Sequence, residues 1–212
     1  MKIKQFVQNP FQENTYLVYD ETGEAIIVDA GSYTQSDVEE IKQFTDGNKL
    51  SVKFLVNTHC HIDHVIGINA LRKVYGVDSY AHREELSMLQ TVPSQAIMFG
   101  LEMDAIPQIE KTLEDGETLK FGNTVLQVIH TPGHSLGCIC LYSEKNKIIF
   151  SGDTLFQGSI GRTDLSGGNY DTIIHSISTK ILSLPDEVLV FPGHGPSTTI
   201  GRERVSNPYL KD

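Results

Sequence analysis

Tryptophan is absent from this chain of 212 residues, and cysteine occurs only three times. Cys60, Cys138 and Cys140 make an odd set with no CxxC pair, which excludes a disulfide-stapled scaffold. No apolar run approaches the ~20 residues that span a bilayer. The first fourteen residues hold no apolar stretch followed by a cleavage site, so the chain reads as neither membrane-embedded nor secreted. Basic residues are scarce, with 17 Lys and Arg against 27 Asp and Glu and a net charge of −10. Without a basic block, nucleic acid and membrane surfaces are poor partners. A reducing, cytoplasmic setting is expected. What remains is the composition of a folded domain, 39% hydrophobic and 21% charged, which excludes disordered and collagen-like classes. A chain of this length buries about 70% of its unfolded surface. One domain over residues 1–212 is therefore expected.

Short β-type runs and helical patterns alternate. Ile3–Val7, Tyr16–Tyr19, Ala25–Val28 and Val52–Val56 read as strands. Ser36-Asp37-Val38-Glu39 reads as a capping box ahead of a helix with Val38, Ile41 and Phe44 on one face. A second helix carries Ile68, Leu71 and Val74 or Tyr75 inward and stops at Gly76. Residues 78–81 suggest a strand, and 83–107 one or two short helices around Pro93. Strands follow at Thr124–Ile129, Cys138–Tyr142 and Lys147–Phe150, then a helix over Tyr170–Leu184 and a strand over Glu187–Phe191. This order suits two sheets packed face to face with helices outside. Ile26-Ile27-Val28-Asp29 is weakly echoed by Ile148-Ile149-Phe150 and Asp153.

Five of the eight His sit at strand ends or in turns beside Gly, Asp or Pro. His59-Cys60-His61-Ile62-Asp63-His64 is the dense cluster. After an extended strand, alternation puts residues 59, 61 and 63 on one side, so His59 and His61 can share one ion. Asp63 and His64, at the turn into a helix, are displaced enough to serve a second. Two ions about 3.5–4 Å apart are a known hydrolytic arrangement, and each needs roughly three protein ligands. The further candidates are His134 in Thr-Pro-Gly-His, Asp153 in Ser-Gly-Asp-Thr and His194 in Phe-Pro-Gly-His-Gly. Each alone is an ordinary turn residue. Together, each following a β-run, they point to a metal site.

These motifs, with Val28-Asp29-Ala30-Gly31 as the first, resemble the metallo-β-lactamase superfamily from about residue 10 to 208, and within it the short glyoxalase II-like hydrolases. The resemblance implies an α/β (α+β) fold, an αββα sandwich of two mixed sheets flanked by helices. By position it implies that His59, His61 and His134 hold one divalent ion and Asp63, His64 and His194 another, with Asp153 bridging them. Zinc is the expected metal, although such His/Asp sets also accept iron or manganese. A dinuclear hydrolase is implied, using hydroxide between two cations, with Asp63 placed to orient it. A thiolate leaves without a general acid because a thiol pKa is only about 8.5. The expected substrate is a small hydroxyacyl thioester resembling S-lactoylglutathione. Asp29 reads as a support for the ligands.

Arg162 in Gly161-Arg162-Thr163-Asp164 matches the position where glyoxalase II-like proteins contact an anionic thiol carrier, against the plainer reading of an ion pair with Asp164. Full-length glyoxalase II completes its glutathione site with a C-terminal helical domain, whereas only eighteen residues follow His194 here. The same Gly161–Asp164 stretch resembles mononuclear iron persulfide dioxygenases of the superfamily, the alternative activity. Gly-Asp153-Thr and Pro-Gly-His194-Gly-Pro favour the hydrolases. His82, His130 and His175 are expected to be structural, the cysteines to be core, and Met88, Met98, Phe99 and Met103 either an apolar lid or helix packing. Gly201–Arg204 reads as surface closure.

Overall fold

A computed structural model describes residues 1–103 and 105–211. The first sheet runs in the order β1 (Lys2–Gln8), β2 (Glu13–Tyr19), β3 (Glu24–Val28), β4 (Ser51–Val56), β5 (Ser79–His82), β6 (Lys111–Leu113). Its first two pairings are antiparallel and the rest parallel. The second sheet is built from β7 (Thr118–Phe121), β8 (Thr124–His130), β9 (Ile139–Ser143) and β10 (Ile148–Gly152). After the small β11 (Leu155–Phe156)–β12 (Ser159–Ile160) hairpin, β13 (Leu189–Pro192) and β14 (Thr198–Thr199) complete it. Only β10–β13 is parallel there.

Side-chain alternation turns these sheets into four layers. In β3, Ile26 and Val28 join Tyr16, Leu126, Val128, Leu141 and Phe150 between the sheets. Their neighbours Ala25 and Ile27 face the other way, onto Val38, Ile41, Ile68 and Leu71. Those residues belong to α1 (Gln35–Gly47) and α3 (Ile68–Tyr75), with the one-turn α2 (Ile62–Val65) between them. The second sheet repeats the arrangement. Cys140, Tyr142 and Ile149 pack on Ile173, Ile177, Ile181 and Ile200. The result is an αββα sandwich, the metallo-β-lactamase fold.

Several local readings shift. The capping box sits two residues earlier than Ser36–Glu39. The chain is still extended at Thr34, whose hydroxyl accepts from Asp37 N while Asp37 Oδ2 accepts from Thr34 N at 2.7 Å. The segment 83–107 gives a 3-10 turn (Arg83–Glu85), α4 (Leu86–Leu89) and α5 (Val92–Phe99), and its Asp104 lies outside the described residues. The expected helix Tyr170–Leu184 is α6 (Tyr170–Ser176) followed by a π turn over Ile177–Ile181. The tail is not mere surface closure. Thr199 caps α7 (Ile200–Ser206), and the buried Glu203 of that helix accepts from Gly158 N and Thr198 Oγ1 at 2.7 and 2.6 Å. Among the described residues no helix is long and apolar enough to cross a membrane.

Candidate metal centre

All seven residues picked out by motif converge where the strand ends of both sheets meet. His59, His61, Asp63 and His64 leave the C-terminal end of β4 and run into α2. Asp29 at the end of β3 holds this segment, because its Oδ1 accepts from Thr58 N at 2.7 Å and its Oδ2 from Thr58 Oγ1 at 2.8 Å. Asn9 Nδ2 donates to Asp63 O at 2.8 Å. From the second sheet come His134 between β8 and β9, Asp153 just after β10 and His194 just after β13. The His194 loop is fixed by the first sheet: Asn14 N donates to Gly193 O at 2.7 Å and Tyr16 Oη to Pro192 O at 2.6 Å.

Two groups of donor atoms result. His134 Nε2 lies 2.8 Å from His61 Nδ1 and 3.2 Å from His59 Nε2. His194 Nε2 lies 3.1 Å from Asp63 Oδ2 and 3.3 Å from His64 Nε2. Within each group the possible ligand atoms are no more than 4.8 Å apart. Asp153 stands between them, Oδ2 being 3.5 Å from His134 Nε2 and 3.7 Å from His194 Nε2, and Oδ1 3.5 Å from His64 Nε2.

The carboxylates, His59 and His61 are in the form that binds a cation, whereas His64 and His194 are held as ion-paired imidazoliums that give up a proton on binding one. Burial, reinforced by the neighbouring histidines, pushes His59 well below the usual imidazole range and His61 down to about 4. Both are neutral imidazoles at pH 7, the form that coordinates. His134 Nδ1 is 2.8 Å from the Arg162 carbonyl, which can only accept. Nδ1 therefore carries the proton, and Nε2 turns a lone pair to the cluster. Burial opposes ionisation of Asp63 and Asp153, yet the histidines beside them, His64 foremost, hold both carboxyls low. Burial likewise opposes charge on His64, but Asp63, Asp153 and Asp29 outweigh it and raise its pKa well above normal. Asp153 Oδ1 is buried with no hydrogen-bond partner. An orphaned anionic oxygen facing ring nitrogens is what a divalent ion satisfies, so the residues fit the metal.

Glu13 was not singled out by sequence. It is fully buried, with Oε2 accepting from Thr15 Oγ1 at 2.8 Å and Oε1 at 3.9 Å from His64 Nδ1. Burial pushes its carboxyl well above the usual range. It opens β2, whose first six residues are all buried.

A cleft of about 430 Å³ opens over the cluster, bounded by Phe11, Phe99, Phe156, Ile160 and Leu165 beside the His and Asp side chains. Arg162 reaches its rim, but its guanidinium already binds Asp164 through two 2.8 Å hydrogen bonds. Phe11 and Phe99 meet edge to face at 5.0 Å. Met88 and Met103 pack on the core, whereas Met98 is 76% exposed. His82 and His130 stack on each other at 4.1 Å, outside the cluster. All three cysteines are buried thiols.

Residues 8–194 match the family described as the metallo-beta-lactamase superfamily. The chain is 38% identical to the hydroxyacylglutathione hydrolase GloC of Haemophilus influenzae, over 99% of this chain and 98% of that one. Among solved structures it is similar to BLEG-1, described as a B3 metallo-beta-lactamase, with a TM-score of 0.91 and 36% identity, covering both chains completely. TTHA1623, solved in a di-iron-bound form, gives a TM-score of 0.87 at 35% identity over 98% of this chain and 100% of that one.

Proposed function

Because the chain belongs to the metallo-beta-lactamase superfamily, we propose that it is a dinuclear, zinc-dependent thioesterase that cleaves small hydroxyacyl thioesters, working as one domain in the cytoplasm. The observation that carries the reading is the position of Asp153, with one carboxylate oxygen within 3.7 Å of a histidine from each donor group. His59, His61 and His134 would hold one ion, Asp63, His64 and His194 the other, and Asp153 both. The metal supplies polarisation of the substrate carbonyl and a water acidic enough to attack at neutral pH. The similarity to a hydroxyacylglutathione hydrolase supports the thioester.

The chain's own groups account for the remainder. Asp63, kept ionised, accepts the hydrogen bond that orients the attacking water. Phe11, Phe99, Phe156 and Ile160 wall the cleft and offer the substrate apolar surface. Water gives up one proton to solvent as it adds to the thioester carbonyl, the C–S bond breaks, and the products are a carboxylic acid and a thiolate that needs no general acid. Arg162 binds a carboxylate of the carrier by exchanging Asp164 for it.

Offered S-lactoylglutathione, the zinc-loaded protein is expected to release free thiol without consuming oxygen. Offered glutathione persulfide with ferrous iron, it is expected to take up little oxygen. Iron-dependent oxygen uptake with sulfite release and no thioester cleavage would establish the dioxygenase alternative instead.

The rim pair gives a second prediction. Arg162→Ala should raise KM about tenfold for a carboxylate-bearing thioester, the scale of one charge-assisted contact. Asp164→Ala should lower the same KM severalfold, because an exposed ion pair is cheaply exchanged. Neither should alter a neutral thioester. Equal shifts for both substrates would leave the pair as loop structure.

A further inference from the structure

Glu85 ends the 3-10 turn after β5, is fully buried and accepts no hydrogen bond from a candidate ligand. Its carboxylate receives three hydrogen bonds. Oε2 accepts from Cys60 N at 2.7 Å, while Oε1 accepts from Ser135 Oγ at 2.6 Å and Gly137 N at 2.7 Å. Cys60 lies between His59 and His61, and Ser135 follows His134 directly. One buried carboxylate therefore joins the His59–His61 segment of the first sheet to the His134 loop of the second. The fit is close, since a Cβ on Gly137 would lie 2.8 Å from Glu85 Cγ and Glu85 N.

We propose that Glu85 is a positioning residue for the three-histidine group, clamping its two backbone segments at the separation at which His59, His61 and His134 share one ion. This rests on the metal site of the proposed function. A carboxylate is required, because all three partners are donors and four acceptor lone pairs meet them. A glutamine keeps the shape but not the pattern. With its oxygen toward Ser135 and Gly137, its NH2 group faces Cys60 N–H. Reversed, the NH2 group faces Gly137 N–H. In either orientation two donors oppose each other and one segment is released. Groups that orient metal ligands from outside typically change metal affinity about 10–100-fold when removed.

A structural carboxylate elsewhere provides the control. Asp20, also buried, accepts from Thr22 N at 3.0 Å, Asn123 N at 2.7 Å and Thr124 Oγ1 at 3.0 Å. It joins the β2–β3 turn to the β7–β8 turn and meets none of the candidate ligands. Zinc affinity, measured by competition with a chromophoric chelator, and the melting temperature of the metal-free protein are compared for wild type, Glu85→Gln and Asp20→Asn. Both variants should melt lower. Only Glu85→Gln should weaken one of the two zinc ions, by about 10–100-fold. Wild-type zinc affinity in Glu85→Gln, or an equal loss in Asp20→Asn, would overturn the role. A wild type that takes up no zinc would overturn the metal reading and this role together. If Glu85→Gln does not fold, Ser135→Ala, which removes one bond of three, decides: a severalfold weaker ion supports the clamp, and unchanged affinity overturns it.

Discussion

Asp153→Ala should lose at least one of two zinc ions and about 10³-fold or more of thioester turnover, while the chain still folds. The expected size comes from what the carboxylate does. Its oxygens lie within 3.7 Å of histidines in both donor groups, so on the proposed dinuclear reading its removal would deprive two cations of an anionic ligand at once. A single donor aimed at developing charge is worth about 10²–10³ in rate, and a shared ligand also governs whether the ions stay. Asp153 lies outside the three apolar clusters, so shortening it opens no gap in them. Metal analysis after gel filtration, set beside circular dichroism and kcat, separates the outcomes. Two ions per chain with normal turnover would remove Asp153 from the centre.

Gly193→Ala should damage the same centre without altering any ligand. A methyl group there would stand 2.3 Å from Asp153 Oδ1 and 2.6 Å from His64 Cε1. The backbone has little room to yield, since Gly193 N donates to Gly152 O at 2.9 Å and Gly193 O accepts from Asn14 N at 2.7 Å. Overpacking of this kind costs about 1–3 kcal/mol. Here the displaced atoms are candidate ligands, so kcat/KM should fall about 100-fold, the rate equivalent of nearly 3 kcal/mol. Gly195→Ala is the contrast. Gly195 has a φ of +72° but no atom near its would-be Cβ. It should lose roughly 1–2 kcal/mol of stability from left-handed strain and keep its zinc. Equal zinc loss in the two variants, by chelator competition, would refute the steric argument.

The convergence of His59, His61, Asp63, His64, His134, Asp153 and His194 was legible because each follows a β-run, and strand ends in a two-sheet fold meet along one edge. The echo between the Asp29 and Asp153 segments also has a physical counterpart. β3 and β10 each pair antiparallel on one side and parallel on the other. Glu13 and Glu85 could not be read this way. Nothing in Gln-Glu-Asn-Thr or Arg-Glu-Glu-Leu distinguishes a buried carboxylate from a solvated one, because burial there is decided by segments distant in sequence, His64 and Gly31 for Glu13 and Cys60, Ser135 and Gly137 for Glu85. The capping box was misplaced for a smaller reason. Asp37 and Glu39 both offer a carboxylate, and only the extended backbone at Thr34 selects between them. The π turn after α6 leaves no mark in the spacing of Ile173, Ile177 and Ile181, which helical periodicity alone accommodates.

The donors arrive from two different sheets, four from the first and three from the second. Each of the two donor groups draws on both sheets, so both are assembled only as the sandwich closes, and a metal bound there would oppose its opening. By mass action, free metal at a hundred times its dissociation constant adds about 2.7 kcal/mol to the folded state. That is comparable to what separates a long-lived protein from one cleared by proteases. In a cell short of the metal, this enzyme would decline in amount as well as in activity. Its abundance would then track the supply of its cofactor with no dedicated sensor.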